Sequence, residues 1–117
     1  MEGKFETENI TGGTLRIVST AIQATPIAAD CREWDKITVY IVTSGTYNLF
    51  IQLKGNTSPV PAGGQDIGSY VSLLTSDSQL INLGDEFWAP FIYAEIYGPQ
   101  GSASYPSNVR IDVIKRR

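Results

Sequence analysis

Histidine is absent from this sequence, and cysteine occurs once, as Cys31. Without histidine the chain has no Ser-His-Asp or Cys-His catalytic set and no histidine-ligated metal site. A single cysteine can form neither an internal disulfide nor a thiolate zinc site. Arg32 beside Cys31 could lower the pKa of the thiol, but no base accompanies it, so we interpret Cys31 as a buried structural residue. We therefore expect assembly in a cytosol rather than secretion.

Positive charge is also scarce. Nine basic residues face twelve acidic ones, which gives a net charge of −3. A nucleic-acid-binding module normally carries a basic field, so we expect no nucleic-acid partner. The one basic cluster is residues 115–117. We interpret it as a solvated tail after the last strand, with contact to an acidic partner as the alternative.

Long apolar runs are missing as well. No segment approaches the roughly 20 apolar residues of a membrane span, so we expect no membrane partner. The first thirteen residues are polar and acidic and end in Gly12-Gly13, and they do not resemble a signal peptide. We predict a flexible N-terminal arm over residues 1–13 and a single domain over residues 14–117.

Carboxylates are the one enzymatic route that this composition leaves open. A glycosidase needs two acids that face each other across a cleft. The candidate acids are scattered over predicted loops: Asp30, Glu33, Asp35, Asp66, Asp77, Asp85, Glu86 and Glu95. Asp85 and Glu86 lack the spaced acidic loop of a calcium site, so we interpret them as a solvated turn. We predict no catalytic residues, no cofactor and no metal, and therefore not an enzyme.

What the sequence does contain is a succession of short segments that alternate with period two, the period of a β-strand. They are residues 14–20, 37–42, 47–53, 69–75, 79–83, 91–97 and 108–115, and glycine and proline fall mostly between them. No segment favours a helix. We predict an all-β protein of about seven to eight antiparallel strands whose sheets pack face to face as a β-sandwich. The inward rows of the last two segments are Ile92, Ala94 and Ile96, then Val109, Ile111 and Val113.

Two of these segments lie close together, at 37–42 and 47–53. If they pair as a hairpin, a three-residue loop of Thr43-Ser44-Gly45 keeps every strong hydrophobe on one face and places Gly45 where positive φ is needed. That register pairs Ile41 with Tyr47, Val39 with Leu49 and Ile37 with Ile51. We predict that these six residues form the centre of the core.

Large apolar residues also occupy the outward rows, where charge is usual. They are Tyr40, Val42, Phe50, Tyr93 and Tyr97. We predict that these five residues form a contact surface for other subunits or for a capsid. The alternative is a sugar-stacking platform of Trp34, Trp88, Tyr93 and Tyr97. For the two tryptophans, we favour burial at the ends of the core.

The layout resembles that of small all-β virion proteins of tailed phages, which serve as capsid decoration or head-surface proteins. The matching segments are a polar arm, then Trp34-Asp35-Lys36-Ile37-Thr38-Val39, Gly45-Thr46-Tyr47 and Lys54-Gly55-Asn56, an aromatic-led strand within 87–97, and an alternating strand over 108–114. The resemblance covers most of residues 14–115.

This resemblance implies a jelly-roll-like sandwich, often a trimer, bound to the capsid or another virion surface, and no catalytic residues. We therefore expect a homo-oligomer whose partner is the major capsid protein or another virion protein, located in the virion after assembly in the host cytoplasm. A small carbohydrate-binding module that adheres to a host or glycan is the alternative. A tail or neck adaptor is a third hypothesis.

Overall fold

Short strands make up the regular secondary structure of this computed structural model, which describes residues 4–18, 21–45, 48–73, 77–83, 89–98 and 107–117. Over these ranges there are eleven strands and no helix. They are β1 (Phe5–Asn9), β2 (Leu15–Ile17), β3 (Gln23–Ala24), β4 (Ala29–Asp30), β5 (Lys36–Gly45), β6 (Leu49–Asn56), β7 (Gln65–Asp66), β8 (Val71–Leu73), β9 (Ser78–Leu83), β10 (Phe91–Tyr97) and β11 (Ser107–Arg116).

The strands form two antiparallel sheets. Sheet A has the order β1-β11-β5-β9, with β2 also beside β11. Sheet B has the order β3-β10-β6-β7, with β4 beside β10 and β8 beside β6. The pairs β1 and β2, β3 and β4, and β7 and β8 each follow successive parts of one neighbour, so each pair is one interrupted edge strand. Counted in this way, each sheet has four strands, in the order of a jelly roll. The predicted all-β antiparallel sandwich is confirmed.

The predicted hairpin between residues 37–42 and 47–53 is wrong. β5 pairs with β11 and β9 in sheet A, whereas β6 pairs with β10, β7 and β8 in sheet B. Residues 43–45 belong to β5 and form no tight loop, although Gly45 does have positive φ, at 126°. A period-two pattern shows which side chains point inward but not which strand is the neighbour. Two apolar rows can meet side by side or across the core, and here they meet across it.

The predicted core residues nevertheless lie in the core. Ile37, Val39 and Ile41 from sheet A and Leu49 and Ile51 from sheet B are all buried. The inward rows of β10 and β11 are buried in the same cluster, and Trp34 packs partly buried against it. Tyr47 and Trp88 lie outside the described residues. The rows were predictable because burial follows directly from period-two alternation.

Part of the segment predicted as a flexible N-terminal arm forms a strand. β1 pairs with β11 from Phe5 opposite Arg116 to Asn9 opposite Asp112. Behind it, Ile10 and Thr11 are buried, and Thr11 Oγ1 accepts a hydrogen bond from the Ile111 N–H at 3.2 Å. β11 would otherwise have an unpaired edge, and the polar residues of β1 satisfy it.

β10 is covered on both faces over its first four residues, all of which are buried. Ile92 and Ala94 point into the core. Phe91 points outward beneath the Arg32 guanidinium, whose carbon lies 5.1 Å from the ring centroid. Tyr93 also points outward, but its hydroxyl accepts a hydrogen bond from the Gly64 N–H at 2.8 Å. The loop before β7, which we call the Gly64 loop, therefore covers Tyr93.

Gly64 allows this loop to approach so closely. A Cβ added at Gly64 would lie 2.7 Å from the Gly55 carbonyl oxygen and 2.8 Å from Cε1 of Tyr93. Both distances are shorter than real Cβ contacts, so only glycine fits there without a shift of the backbone. Asn56 organises the same loop, since its Nδ2 donates to the carbonyls of Val60 and Ala62 at 3.0 and 2.9 Å.

Candidate contact surfaces

The five predicted interface residues do not form one surface. Val39 and Ile41 point into the core, so Tyr40 and Val42 project from the outer face of sheet A. By the same alternation, Phe50 and Tyr97 project from the outer face of sheet B. These two faces lie on opposite sides of the sandwich. Tyr93 is fully buried and cannot take part in a contact surface, because the Gly64 loop covers it.

The outer face of sheet B carries an aromatic cluster, which we define as Phe50, Tyr70 and Tyr97. Phe50 lies opposite Tyr97 in the β6–β10 register, and their rings stack at 5.5 Å between centroids. Tyr70 meets the Phe50 ring edge-on at 5.6 Å and is 54% exposed. The sequence pattern places Tyr70 in a strand but gives no sign that it lies beside Phe50. Sheet pairing therefore assembles an apolar surface that includes two of the predicted residues.

A polar band borders the aromatic cluster on the same face. The Lys54 ammonium contacts Asp66 at 2.6 Å and Glu95 at 3.6 Å, and the hydrogen bond from Lys54 to Asp66 raises the pKa of Lys54. Gln52 Nε2 donates to the carbonyls of Leu53 and Gly68 at 3.0 and 3.2 Å. These groups bond to one another and to the backbone, so the band holds the strands and loop together beside the cluster.

The outer face of sheet A is more mixed. Tyr40 lies between Asp112 of β11 and Leu80 of β9, and Leu80 is 60% exposed. Val42 lies beside Arg110, whose Nε donates to Asp112 at 3.1 Å. Tyr40 and Val42 are themselves half-buried. The most exposed apolar side chain near them is therefore Leu80, on the edge strand.

A charged cleft of about 550 Å³ lies at the end of the sandwich where β1, β4 and β11 meet. It is lined by Glu6, Glu8, Asp30, Arg32, Glu33, Trp34, Lys115 and Arg117. Lys115 is only 2% exposed, so the expectation of a solvated basic tail is wrong at this residue. Its Nζ donates to Glu8 and to the Asp30 carbonyl, both at 2.9 Å, and lies 5.7 Å from the Trp34 ring centroid.

The charged side chains of this cleft pair with one another, although its four carboxylates outnumber its three cations. Burial alone would lower the pKa of Lys115, but the hydrogen bond and charge of Glu8, with the charge of Glu6, outweigh it and raise the pKa. The hydrogen bond from the Arg32 side chain holds the pKa of Asp30 at about 2. Arg117 donates to the Glu33 carbonyl at 2.9 Å. The cations of the cleft thus each have a carboxylate or carbonyl partner within it.

Reactive groups are scarce in the described part of the chain. Cys31 is buried, as expected, and burial raises the pKa of its thiol to about 12, so no thiolate forms near neutral pH. Within the described ranges, no three metal-ligating side chains come together, and no helix is long and apolar enough to cross a membrane. Asp85 and Glu86 lie outside the described residues.

No model of a protein family matches the sequence, and no curated protein matches it. Solved structures do match the fold. The SPBc2 prophage-derived protein YomS is 11% identical, with a TM-score of 0.60 over 100% of this chain and 96% of its own. The Yersinia pseudotuberculosis-derived mitogen is 15% identical, with a TM-score of 0.50 over 96% and 86% of the two chains.

A chain of the infectious bursal disease virus Gx strain also has this fold. It is 7% identical, with a TM-score of 0.51 over 99% of this chain and 32% of its own length. A prophage-derived protein, a bacterial mitogen and a virus chain are thus similar to this protein in architecture. At such identities the likeness establishes the fold, whereas function has to be argued from the surfaces.

Proposed function

We propose that this chain is a non-enzymatic structural protein of a virus particle that decorates the surface of a phage head. The observation that carries the proposal is the aromatic cluster of Phe50, Tyr70 and Tyr97 on the outside of a jelly roll whose charged cleft is internally paired. Jelly rolls are recurrent in viral capsids, and the prophage-derived YomS shares this fold over nearly the whole of both chains. Both facts support a protein that works by contact.

The proposed mechanism is cementing of the shell. The sheet B face with its aromatic cluster packs on the major capsid protein or on further copies of this chain, and we propose a trimer. Aromatic side chains bury a large area with little loss of conformational freedom, which suits a contact repeated over a shell. Many weak contacts on one particle then add up to tight retention, because each bound copy holds its neighbours at high effective concentration.

Binding to empty capsids tests this proposal. Capsids that lack this protein are prepared from the phage whose genome encodes it, and the purified protein is mixed with them and sedimented. We expect co-sedimentation, and we expect Tyr70→Ser to weaken it by about tenfold or more, as for an aromatic anchor at an interface. Phe5→Ser is the matched control, because Phe5 is an exposed aromatic on β1, in the other sheet. Equal weakening by both variants would contradict a role for the cluster.

A sugar-binding module is the second candidate, favoured by the exposed Tyr70 against Phe50 and by Gln52 and Glu95, which lie opposite each other on the same sheet face. The Phe50 and Tyr97 rings stack on each other, which leaves less aromatic face for a sugar, so we favour protein contact. A glycan array separates the two. A stable monomer that binds one glycan class, and loses it in Tyr70→Ser, would replace the capsid proposal, whereas a trimer that binds capsids and no glycan would support it.

A further inference from the structure

Three of the four sheet edges are protected against pairing with another chain. The β1/β2 edge is interrupted between Asn9 and Leu15 and carries Glu6 and Glu8. The β3/β4 edge is interrupted by the segment that contains Pro26, and the β7/β8 edge by residues 67–70. Interruptions, prolines and charges are the devices by which natural sheets prevent edge-to-edge association.

The fourth edge, β9, lacks these devices. Its six residues, Ser78–Leu83, form one uninterrupted strand without a charge or a proline. β9 pairs with β5 from Val42 opposite Ser78 to Ile37 opposite Leu83, and no described strand pairs with its other side. An uncharged, regular edge strand with an exposed leucine is a template for another strand.

The hydrogen bonds show which backbone groups face the open side. The Thr43 N–H donates to the Asp77 carbonyl at 2.8 Å, so the backbone of Asp77 faces β5. Because backbone direction alternates along a strand, Ser78, Leu80 and Asn82 face away from β5. The Ser78 N–H is already used, since it donates to Asp77 Oδ1 at 2.8 Å. The N–H and carbonyl groups of Leu80 and Asn82 and the Ser78 carbonyl therefore point to the open edge.

We propose that β9 pairs antiparallel with β9 of a second copy of this chain, around a two-fold axis at Leu80. In an antiparallel pair, residues that lie opposite each other point to the same face of the sheet. The two-fold axis must therefore pass beside one residue of each strand and not between two residues. Centring on Leu80 places it opposite its own copy and Ser78 opposite Asn82. Leu80 then exchanges two backbone hydrogen bonds with its copy, and each Asn82 N–H donates to the Ser78 carbonyl across the axis.

Other registers and other occupants fit less well. Gln79 lies opposite an apolar residue in both registers, but on the outer face a centre at Ile81 would place the exposed Leu80 opposite Asn82, whereas the centre at Leu80 pairs Leu80 with its copy and Ser78 with Asn82. A second copy fits because the strand has no charge to repel itself and its apolar residue lies on the two-fold axis. The contact joins the two A sheets into one and leaves the aromatic cluster of sheet B uncovered. It does not depend on the proposed virion role.

Cysteine crosslinking tests the pairing and its register in the full chain with Cys31→Ser. In Leu80→Cys, the two Cα atoms would lie about 5.5 Å apart across the axis, within the range of a disulfide. The matched control is Asn82→Cys, whose copies would be about 14 Å apart because four residues separate them along the strand. We expect mild oxidation to give a covalent dimer for Leu80→Cys at least tenfold faster than for Asn82→Cys.

Sedimentation of the unmodified chain over a concentration series supplies the second measurement. We expect reversible association through β9, which pairs monomers into dimers and the proposed trimers into hexamers, and we expect Leu80→Pro to weaken it at least tenfold, because proline removes the central N–H, which the monomer does not use. Val60→Ala is the control, because Val60 is an exposed apolar residue away from β9 and the change keeps every backbone N–H. A monomer or trimer that does not associate further at any concentration, or crosslinking at Asn82→Cys as fast as at Leu80→Cys, would overturn the proposal. Capsid binding is measured separately, so either proposal can fail without the other.

Discussion

For Tyr93, the predicted direction of the side chain is correct but its predicted exposure to solvent is wrong. The alternation of β10 predicts that Tyr93 points away from the core, and it does. It is nevertheless fully buried, because the Gly64 loop crosses over it and donates a hydrogen bond to its hydroxyl. A strand pattern contains no information about loops that return from elsewhere in the chain. A glycine at the point of closest approach is a signal that becomes readable only with the fold.

The hydroxyl of Tyr93 gives a prediction at this scale. Tyr93→Phe leaves the Gly64 N–H without its partner in a covered site, which costs the desolvation of that group. We expect the free energy of unfolding to fall by about 1–2 kcal/mol, measured by urea denaturation. Tyr70→Phe is the control and should change it by less than about 0.5 kcal/mol, because Tyr70 is exposed. Equal effects in the two variants would argue against the Gly64 contact as a source of stability.

At the scale of elements, the sequence predicts which segments form strands better than it predicts which strands pair. The segments 91–97 and 79–83 match β10 and β9 closely, because long alternating runs are strong signals. The partners of β5 were not predictable. Its neighbours β9 and β11 lie more than thirty and sixty residues further along the chain, and alternation is the same for every pairing that keeps the inward row buried. The aromatic cluster depends on such pairing, so Tyr70 was missed.

β1 shows a different limit of sequence patterns, since its five residues are mostly polar. Its place is fixed by contacts with β11, including the ion pairs from Lys115 to Glu8 at 2.9 Å and to Glu6 at 3.6 Å. A run of basic residues at a chain end is usually solvated, and alternation alone assigned Lys115 no partner. The carboxylates that receive it are 107 and 109 residues away in sequence.

Removing the Lys115 ammonium tests this junction. Lys115→Met keeps the length of the side chain but removes the charged donor to the Asp30 carbonyl and to Glu8, which keeps only the Asp30 N–H at 3.3 Å. We expect a loss of about 1–3 kcal/mol in the free energy of unfolding, as for a removed partner at a largely buried site. Arg116→Met, one residue on and exposed, should stay within about 0.5 kcal/mol. If Lys115→Met is as stable as Arg116→Met, the junction does not hold β1.

At the scale of the whole molecule, the two sheets share one core. The buried residues of β5 and β11 from sheet A and of β6 and β10 from sheet B belong to a single cluster. Each sheet needs the other to bury its inward-facing apolar side chains away from water. The fold class was predictable from strand number and alternation alone, since these rows need a facing layer. The sequence could not predict that the outer apolar residues divide between two opposite faces, because this depends on which strands belong to which sheet.

A shared core predicts one cooperative transition. We expect urea unfolding followed by far-UV circular dichroism to coincide with unfolding followed by Trp34 fluorescence, measured in a Trp88→Phe background. Refolding should take milliseconds to seconds, because neighbours in both sheets are distant in sequence. Non-coincident curves would show that the end of the sandwich near Trp34 unfolds independently of the sheets.

The two-sided cover of β10 has a consequence for how this sequence can change over generations. Four consecutive positions of β10 each have a neighbour that a substitution would disturb: the core for Ile92 and Ala94, Arg32 for Phe91 and the Gly64 loop for Tyr93. Drift in homologous chains should therefore be slow along this whole stretch. In β9 the exposed positions Ser78, Leu80 and Asn82 alternate with half-buried ones, so replacements should accumulate at Ser78 and Asn82, whereas the proposed pairing should keep Leu80 apolar.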